Sequence, residues 1–313
     1  MVVLKALSVF FAACTALVGQ ASWQPSAGHA QIPIWPENVV GGAASENDVN
    51  TTTSKDNVVA GKPVFRIDNV VRPTITFYAP RTRNSHVAVI VFPGGGYSHL
   101  AMDIEGTEVC DRLNSMGLTC VLFKYRVPNS GPYPRSSAAL EDAQRAMSLV
   151  RSHAAEHQID PHRIGVMGFS AGAHLAAAMS THNEKRMYSP IDASDQISSR
   201  PDFAAIIYPG YLASVDRDTP GSNCFPPNPD LPVTKDTPPG FLVQTEDDRV
   251  AHVESSIAYY LALKNAGVPA EMHLYAEGVH GYGLRPTGLP VANWPQLFET
   301  WLHTIKVLSL IHI

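Results

Sequence analysis

The chain has 313 residues, of which 45% are hydrophobic and 16% charged, and its formal net charge is −5. This length suits one α/β domain with a large core, and the hydrophobic content excludes an intrinsically disordered chain. The slightly acidic balance excludes a nucleic-acid-binding protein, because such proteins carry basic patches. The 13 histidines are scattered without metal-ligand spacing, so no metal site is predicted.

The N-terminal segment predicts a secretory signal peptide over residues 1–21. Lys5 precedes an apolar run over residues 6–19, and small residues at 19–21 offer a cleavage site. The run is too short to span a bilayer comfortably, so we expect no stable membrane association. A lipoprotein signal at Cys14 is the alternative, although apolar residues continue beyond it. We expect a periplasmic or secreted protein.

Residues 22–62 are rich in Pro, Asn, Ser, Thr and Gly, and they predict a mostly irregular N-terminal lead-in. The main domain is expected to occupy residues 63–307. Its first two strands are predicted at residues 64–67 and 74–78, and we expect them to form an antiparallel pair.

A β-branched apolar run over residues 86–92 predicts a buried strand, which ends in a glycine-rich turn at 93–97. Glycines after a strand present bare backbone N–H groups to a ligand, as an oxyanion hole requires. We assign this role to the N–H groups of Gly95 and Gly96. A plain glycine-rich turn and a dinucleotide-binding loop are the alternatives, but His99 stands where the dinucleotide fingerprint needs its third glycine.

Two side chains beside the glycine turn are candidates for substrate contact. Tyr97 directly follows the glycines, and His99 lies two residues further along the chain. His99 precedes the candidate nucleophile described below, which is the wrong order for a general base. We therefore expect Tyr97 and His99 to bind substrate and not to move protons.

Helices are predicted near residues 104–115, 137–157, 171–181, 253–266 and 294–306. Cys110 falls in the first of them, and Cys120 falls in a predicted strand over residues 118–123. We expect both to be small core residues and not a bridge, since a core of this size does not need a disulfide. Removal of the signal peptide leaves these two and Cys224, and an odd count leaves at least one free thiol.

The run over residues 168–172 has the form G-x-S-x-G, with Ser170 at its centre. An apolar stretch at 163–167 predicts a buried strand before it, and residues 173–179 predict a helix after it. A serine on such a sharp strand-to-helix turn lies exposed above the C-terminal edge of a sheet. Ser170 is therefore the candidate nucleophile. The N–H of Ala171 is the third candidate oxyanion donor, beside the positive end of the helix dipole.

A long, polar and Pro-rich loop is predicted over residues 211–239. A loop of this length inside a compact domain is usually functional or disordered. It contains no extended apolar helix, so an interfacial lid is not predicted. We expect it to form an open, polar rim over the site.

Two further predicted strands are each followed by a candidate catalytic residue, first the acid and then the base. The strand at 241–245 is followed by adjacent carboxylates, of which Asp248 fits the common Asp-x-Val pattern. Asp248 is favoured as the acid, and Asp247 stays open as the alternative. The strand at 271–275 is followed by His280, whose glycine-flanked loop we expect to be mobile enough to approach the serine.

The candidates come in the order oxyanion loop, Ser, Asp, His, which is the order of α/β-hydrolases. Because each follows a predicted strand, they should converge on one edge of a mostly parallel, twisted sheet with helices on both faces. Only His280, among the histidines, combines this order with a position after a strand and glycine neighbours. We expect His174, on the helix after the nucleophile, to pack or hydrogen-bond there.

Four sequence blocks resemble bacterial α/β-hydrolases of the acetylxylan esterase or xylanase-B-like esterase type. They are FPGGGY at 92–97, GVMGFSAG at 165–172, EDD at 246–248 and HGYG at 280–283. The resemblance extends from about Pro73 to about Leu302. Pro93 replaces the histidine of the lipase-type glycine motif, and Ala173 stands where the family often has Gly; neither departure threatens catalysis.

The resemblance implies a serine esterase that removes acetyl groups from xylan or other carbohydrates, through an acyl-enzyme and without a metal or organic cofactor. His280 would take the proton of Ser170, and Asp248 would orient the imidazole. The alternatives are a feruloyl esterase, a general carboxylesterase, an aryl-formamidase or a small peptidase, since one triad serves them all. A non-catalytic binding protein on the same fold is a further alternative.

The last six residues, 308–313, resemble the translation of a common sequencing adapter. We expect this segment to be foreign to the protein. A frayed apolar tail is the alternative.

Overall fold

The computed structural model describes residues 23–37, 39, 49–52, 58–128, 131–214 and 225–309. The predicted signal peptide, Cys14, Cys224 and residues 310–313 lie outside these ranges. Within them, no helix is both long and apolar enough to cross a membrane.

The fold combines eleven described strands with five described α-helices. The strands are β1 (Ile32–Pro33), β2 (Val49–Thr52), β3 (Phe65–Asp68), β4 (Thr74–Tyr78), β5 (Ala88–Phe92), β6 (His99–Ala101), β7 (Thr119–Lys124), β8 (Ile164–Phe169), β9 (Ala204–Ile207), β10 (Gly240–Thr245) and β11 (Ala270–Tyr275). The helices are α1 (Glu108–Ser115), α2 (Ala138–Ser152), α3 (Ala171–Thr181), α4 (Glu254–Asn265) and α5 (Trp294–Thr304). All five predicted helices are confirmed, with ends that differ by a few residues.

The main sheet has eight strands in the order β1-β4-β7-β5-β8-β9-β10-β11. From β7 to β11 every neighbouring pair is parallel, while β4 runs antiparallel to both of its neighbours. Every residue of β5, β7, β8, β9 and β10 is buried, which requires that both faces of the sheet be covered. The predicted α/β-hydrolase fold with a mostly parallel sheet is confirmed.

The chain order reverses around β5, and this reversal fixes the position of the site. Strand β7 lies on one side of β5, and the next strand in the chain, β8, lies on the other. Phe92 at the end of β5 is paired in register with Gly168 near the end of β8. The glycine turn and the candidate nucleophile therefore leave the sheet side by side, at the type of switch point where α/β proteins bind ligands.

The expected antiparallel pair between residues 64–67 and 74–78 is wrong. Strand β3 pairs with β2 and β6 in a separate three-stranded sheet, whereas β4 pairs with β1 and β7 in the main sheet. The difference follows from burial. Four of the five residues of β4 are buried, as an interior strand requires, whereas Ile67 is the one buried residue of the four in β3.

The expectation that Cys110 and Cys120 are unbridged is also wrong, because they form a disulfide. Both residues are fully buried, as expected, but the packing of α1 against β7 brings their Cα atoms to 5.1 Å. That separation lies within the range that a disulfide spans. Sequence spacing alone could not show it, since the distance depends on how the helix returns onto the sheet.

Replacing Cys110 and Cys120 together by alanine should lower the free energy of unfolding by about 2–3 kcal/mol, because the bridge closes a loop of roughly ten residues in the unfolded chain. Urea denaturation of protein purified from an oxidising compartment measures this difference. A reductant should destabilise the parent protein and leave the double variant unchanged. Insensitivity of the parent to reductant would contradict the bridge.

Candidate active site

Ser170 lies on a strained turn between β8 and α3, with a φ of +53°. Neighbouring backbone comes so close that a side chain would not fit on either flanking glycine. A Cβ on Gly168 would lie 2.1 Å from the carbonyl oxygen of Gly172, and one on Gly172 would lie 2.1 Å from that of Phe92. The G-x-S-x-G spacing therefore reflects close contact among β5, β8 and α3, which holds the serine above the sheet edge.

The three residues predicted as nucleophile, base and acid are joined by hydrogen bonds. The His280 Nδ1 atom lies 2.7 Å from Oδ2 of Asp248, and its Nε2 atom lies 2.9 Å from Oγ of Ser170. A carboxylate only accepts hydrogen bonds, so Nδ1 carries the proton and Nε2 accepts from the serine hydroxyl. This arrangement can draw the proton from Ser170 as Oγ attacks an electrophile.

The two adjacent aspartates occupy different positions, and only Asp248 contacts His280. Asp248 is buried, and its second oxygen accepts the N–H groups of Val250 and Ala251. The carboxylate of Asp247 instead accepts the N–H groups of Gly278 and Val279. Asp247 thus holds the loop that carries His280, and Asp248 orients the ring.

Hydrogen bonds also fix the His280 loop from the side of β10. The Thr245 hydroxyl donates to the carbonyl oxygen of Val279 at 3.0 Å. Val279 and Gly281, on either side of the histidine, both have positive φ, at +54° and +76°. The glycine flank serves this tight backbone path. In the structure His280 is already hydrogen-bonded to Ser170, without the loop movement expected from the sequence.

The glycine turn after β5 presents unused backbone donors next to Ser170. Among the described residues, the N–H groups of Gly95, Gly96 and Ala171 have no hydrogen-bond acceptor. The Gly94 carbonyl accepts from Ala101, and the Gly95 carbonyl accepts from residues 98 and 99, so the turn is fixed through its carbonyl groups. Three N–H groups remain at this edge for a negatively charged oxygen.

The structure does not bring Tyr97 to the surface of the cleft. Tyr97 is buried, and its hydroxyl lies 2.7 Å from Nδ1 of His174. Burial lowers the pKa of His174 to about 3, so its ring is neutral near pH 7. His174 packs and hydrogen-bonds as expected, and Tyr97 supports the glycine turn from within the core. His99 is partly exposed in β6, beside the glycine turn, and stays a candidate for substrate contact.

Two buried polar residues that sequence reasoning missed lie below the site. The Glu105 carboxylate accepts the N–H of Gly94 at 2.7 Å and the hydroxyl of Tyr208 at 2.9 Å. Burial raises the pKa of Glu105, while the hydrogen bond from Tyr208 and the charge of His280 act in the opposite direction. A glutamate near the start of a predicted helix gave no signal, because carboxylates are common there.

Arg285 is a third residue that the sequence did not indicate. Its buried guanidinium forms ion pairs with Asp103 and Glu108 and donates to the carbonyl oxygens of Lys62 and Pro63. The segment that follows His280 is therefore tied to the start of α1. Among the described residues, no group of three or more His, Cys, Asp or Glu side chains is arranged to hold a metal ion.

Comparison with known proteins places this site in a family. A family model described as BD-FAE matches residues 75–208. The crystal structure of an acetyl ester-xyloside bifunctional hydrolase from Caldicellulosiruptor lactoaceticus is 33% identical, with a TM-score of 0.69, over 90% of this chain and 97% of that one. The chain belongs to the α/β-hydrolase esterases of the acetylxylan esterase and xylanase-B-like type. Its relatives include proteins named as esterases and carboxylesterases.

Two curated relatives of this chain are larger proteins. An acetylxylan esterase from Xylanibacter ruminicola is 30% identical over 63% of this chain, and an endo-1,4-beta-xylanase B from Butyrivibrio fibrisolvens is 30% identical over 68%. The matched region spans only 41% and 34% of their respective lengths. The likeness therefore concerns one part of each relative.

Replacing Asp248 by asparagine should lower kcat for p-nitrophenyl acetate by about 10⁴-fold, because an amide favours the wrong imidazole tautomer. The matched variant Asp247→Asn should lower kcat by less than about tenfold, since the amide oxygen still accepts one loop N–H. Steady-state kinetics on both proteins measures the difference. A larger loss in Asp247→Asn would assign the acid to that residue instead.

Proposed function

We propose that the protein is a serine esterase that removes short acyl groups, chiefly acetyl groups, from xylan or related carbohydrates through a Ser170-His280-Asp248 triad. The observation that carries the proposal is the hydrogen-bonded chain from Asp248 through His280 to the Ser170 hydroxyl. It lies beside three unused backbone donors at the carboxyl edge of the sheet. Such a combination is what acyl transfer requires.

In this mechanism Oγ of Ser170 attacks the ester carbonyl while Nε2 of His280 takes its proton. Asp248 stabilises the imidazolium that forms. The N–H groups of Gly95, Gly96 and Ala171 bind the oxyanion, and the loss of one such donor costs roughly 3 kcal/mol of barrier in comparable sites. His280 then protonates the departing alcohol oxygen, and the acyl group stays on Ser170. Water, deprotonated by His280, releases the carboxylic acid.

The proposed carbohydrate substrate is supported by the names of the relatives and by the rim of the site. Tyr211, at the start of the long loop, is 47% exposed, and its ring lies 5.7 Å from that of His174 on the helix that begins after Ser170. An exposed aromatic ring near the helix that follows Ser170 offers a flat apolar face to a sugar ring.

We further propose that residues 63–307 form the catalytic domain and that residues 1–21 direct the protein out of the cytoplasm. The buried disulfide between Cys110 and Cys120 supports export, because disulfides form and persist in oxidising compartments. An extracellular or periplasmic location is also where an enzyme would meet xylan or its fragments.

The purified esterase should release acetate from both acetylated xylan and p-nitrophenyl acetate, and Ser170→Ala should lose both activities by about 10⁶-fold in kcat while its circular dichroism stays unchanged. Acetate is measured enzymatically and nitrophenol by absorbance. Activity on p-nitrophenyl acetate alone would remove xylan as the substrate, and feruloyl esters and formanilides would be assayed next. Retained activity in Ser170→Ala would rule out the proposed serine mechanism.

Replacing Tyr211 by alanine should lower the ratio of kcat/KM for acetylated xylo-oligosaccharides to kcat/KM for p-nitrophenyl acetate by about 3- to 10-fold, since the sugar loses an aromatic partner. Tyr211→Phe is the matched control, because it keeps the ring, and its ratio should stay near that of the parent. Equal ratios for the alanine variant and the parent would show that Tyr211 does not contact sugar.

A further inference from the structure

The carboxylate of Glu105 joins two separate segments of the candidate active site. Its Oε2 atom accepts the N–H of Gly94, the first glycine of the glycine turn, at 2.7 Å. Its Oε1 atom accepts the hydroxyl of Tyr208, which directly follows β9, at 2.9 Å. The Glu105 residue is only 5% exposed, so water does not compete for these bonds.

The direction of the hydrogen bonds requires an acceptor at Glu105. The Tyr208 hydroxyl itself accepts the N–H of Gly283, three residues after His280, at 3.2 Å. The hydroxyl donates its own proton to Oε1 of Glu105. Backbone N–H groups can only donate, so the bonds from Gly94 and through Tyr208 both end on Glu105. A carboxylate satisfies both ends, whereas a protonated acid or an amide leaves a donor without an acceptor.

The network lies against the nucleophile and the base. A Cβ placed on Gly94 would come within 2.7 Å of Oε2 of Glu105 and 2.8 Å of Cβ of Ser170, so one glycine separates the carboxylate from the nucleophile. The ring of Tyr208 packs edge-on against His280, with centroids 5.1 Å apart. Glu105 thus acts on both groups through one intervening residue and has no hydrogen bond of its own to the triad.

We propose that Glu105 is a positioning residue that locks the oxyanion turn to the His280 loop and, as a carboxylate, stabilises the imidazolium that forms on His280. This inference rests on the proposed serine esterase mechanism. It adds a second buried carboxylate that acts on His280, through the intervening Tyr208 and without the direct hydrogen bond that Asp248 makes.

Electrostatics in the core support this role. The charged and titratable groups that face Glu105 are Asp103 on its own helical turn, His280, Tyr208 and, after β7, Tyr125. Burial raises the pKa of Glu105, and Asp103 adds to that rise. The hydrogen bonds from Tyr208 and Gly94 and a positive charge on His280 lower the pKa of Glu105. The attraction between the two charges is mutual, so an ionised Glu105 stabilises a positive charge on the ring of His280.

The experiment compares Glu105→Gln with Asp111→Asn, an exposed carboxylate on the next helix α1 that serves as the charge-matched control. In Glu105→Gln, kcat for p-nitrophenyl acetate should fall by about 10- to 100-fold with KM changed by less than about threefold, because the oxyanion turn loses its alignment. The acid limb of the kcat/KM profile should move to lower pH, because the imidazolium loses a favourable charge. Asp111→Asn should match the parent in kcat and in the position of the acid limb.

Tyr208→Phe separates the positioning effect of Glu105 from the effect of its negative charge. It also gives a second test if Glu105→Gln fails to fold. It keeps the carboxylate but removes the link to Gly283, so kcat should fall while the acid limb moves less than in Glu105→Gln. Unchanged kcat and an unchanged acid limb in folded Glu105→Gln would overturn the inference, as would parent-like kcat in Tyr208→Phe. Equal losses in both variants with no movement of the acid limb would leave only a structural role and would also overturn it.

Covalent labelling by a fluorophosphonate distinguishes this failure from failure of the proposed mechanism. If the parent reacts at Ser170 and Ser170→Ala is inactive, the serine mechanism stands whatever Glu105→Gln does. In that case Glu105→Gln should react more slowly than the parent, since phosphonylation uses the same oxyanion donors. An unlabelled parent protein would instead remove the mechanism on which the inference rests.

Discussion

The close approach of the turn after β5 to the turn after β8 is the constraint on which the site depends. Backbone carbonyl groups lie where side chains at Gly168 and Gly172 would be, and Ser170 itself adopts a positive φ. Such a conformation persists only when surrounding structure over-determines it. Here the pairing of β5 with β8 does so, and it places unused N–H donors next to the serine hydroxyl.

Polar and charged side chains hold the second half of the site against this edge. The loop with His280 reaches the serine from β11, three strands away from β8 in the sheet, and has no strand pairing of its own there. It is fixed instead by side chains: Asp247 and Thr245 before the histidine, and Tyr208 and Arg285 after it. The buried groups among them, Tyr208 and Arg285, would be costly to leave unpaired, so their hydrogen bonds fix the loop.

The disulfide and the buried glutamate belong to the same part of the fold. Cys120 in β7 is bonded to Cys110 in α1, and the helical turn that leads into α1 carries Glu105. The bridge therefore anchors to the main sheet the segment that supports the oxyanion turn. Because disulfides form and persist in oxidising compartments, the proposed export and the proposed alignment of the site are linked through this helix.

The sequence by itself determined the five described helices, six of the eight strands of the main sheet, the fold class and the convergence of Ser170, His280 and Asp248. It could do so because hydrophobic periodicity, glycine placement and chain order are local signals. Tertiary structure alone decided that β3 and β4 enter different sheets, that two cysteines meet, and that the Glu105 carboxylate accepts the N–H of Gly94 in the glycine turn. Those outcomes depend on which faces become buried and which distant groups meet, and no local pattern encodes such distances.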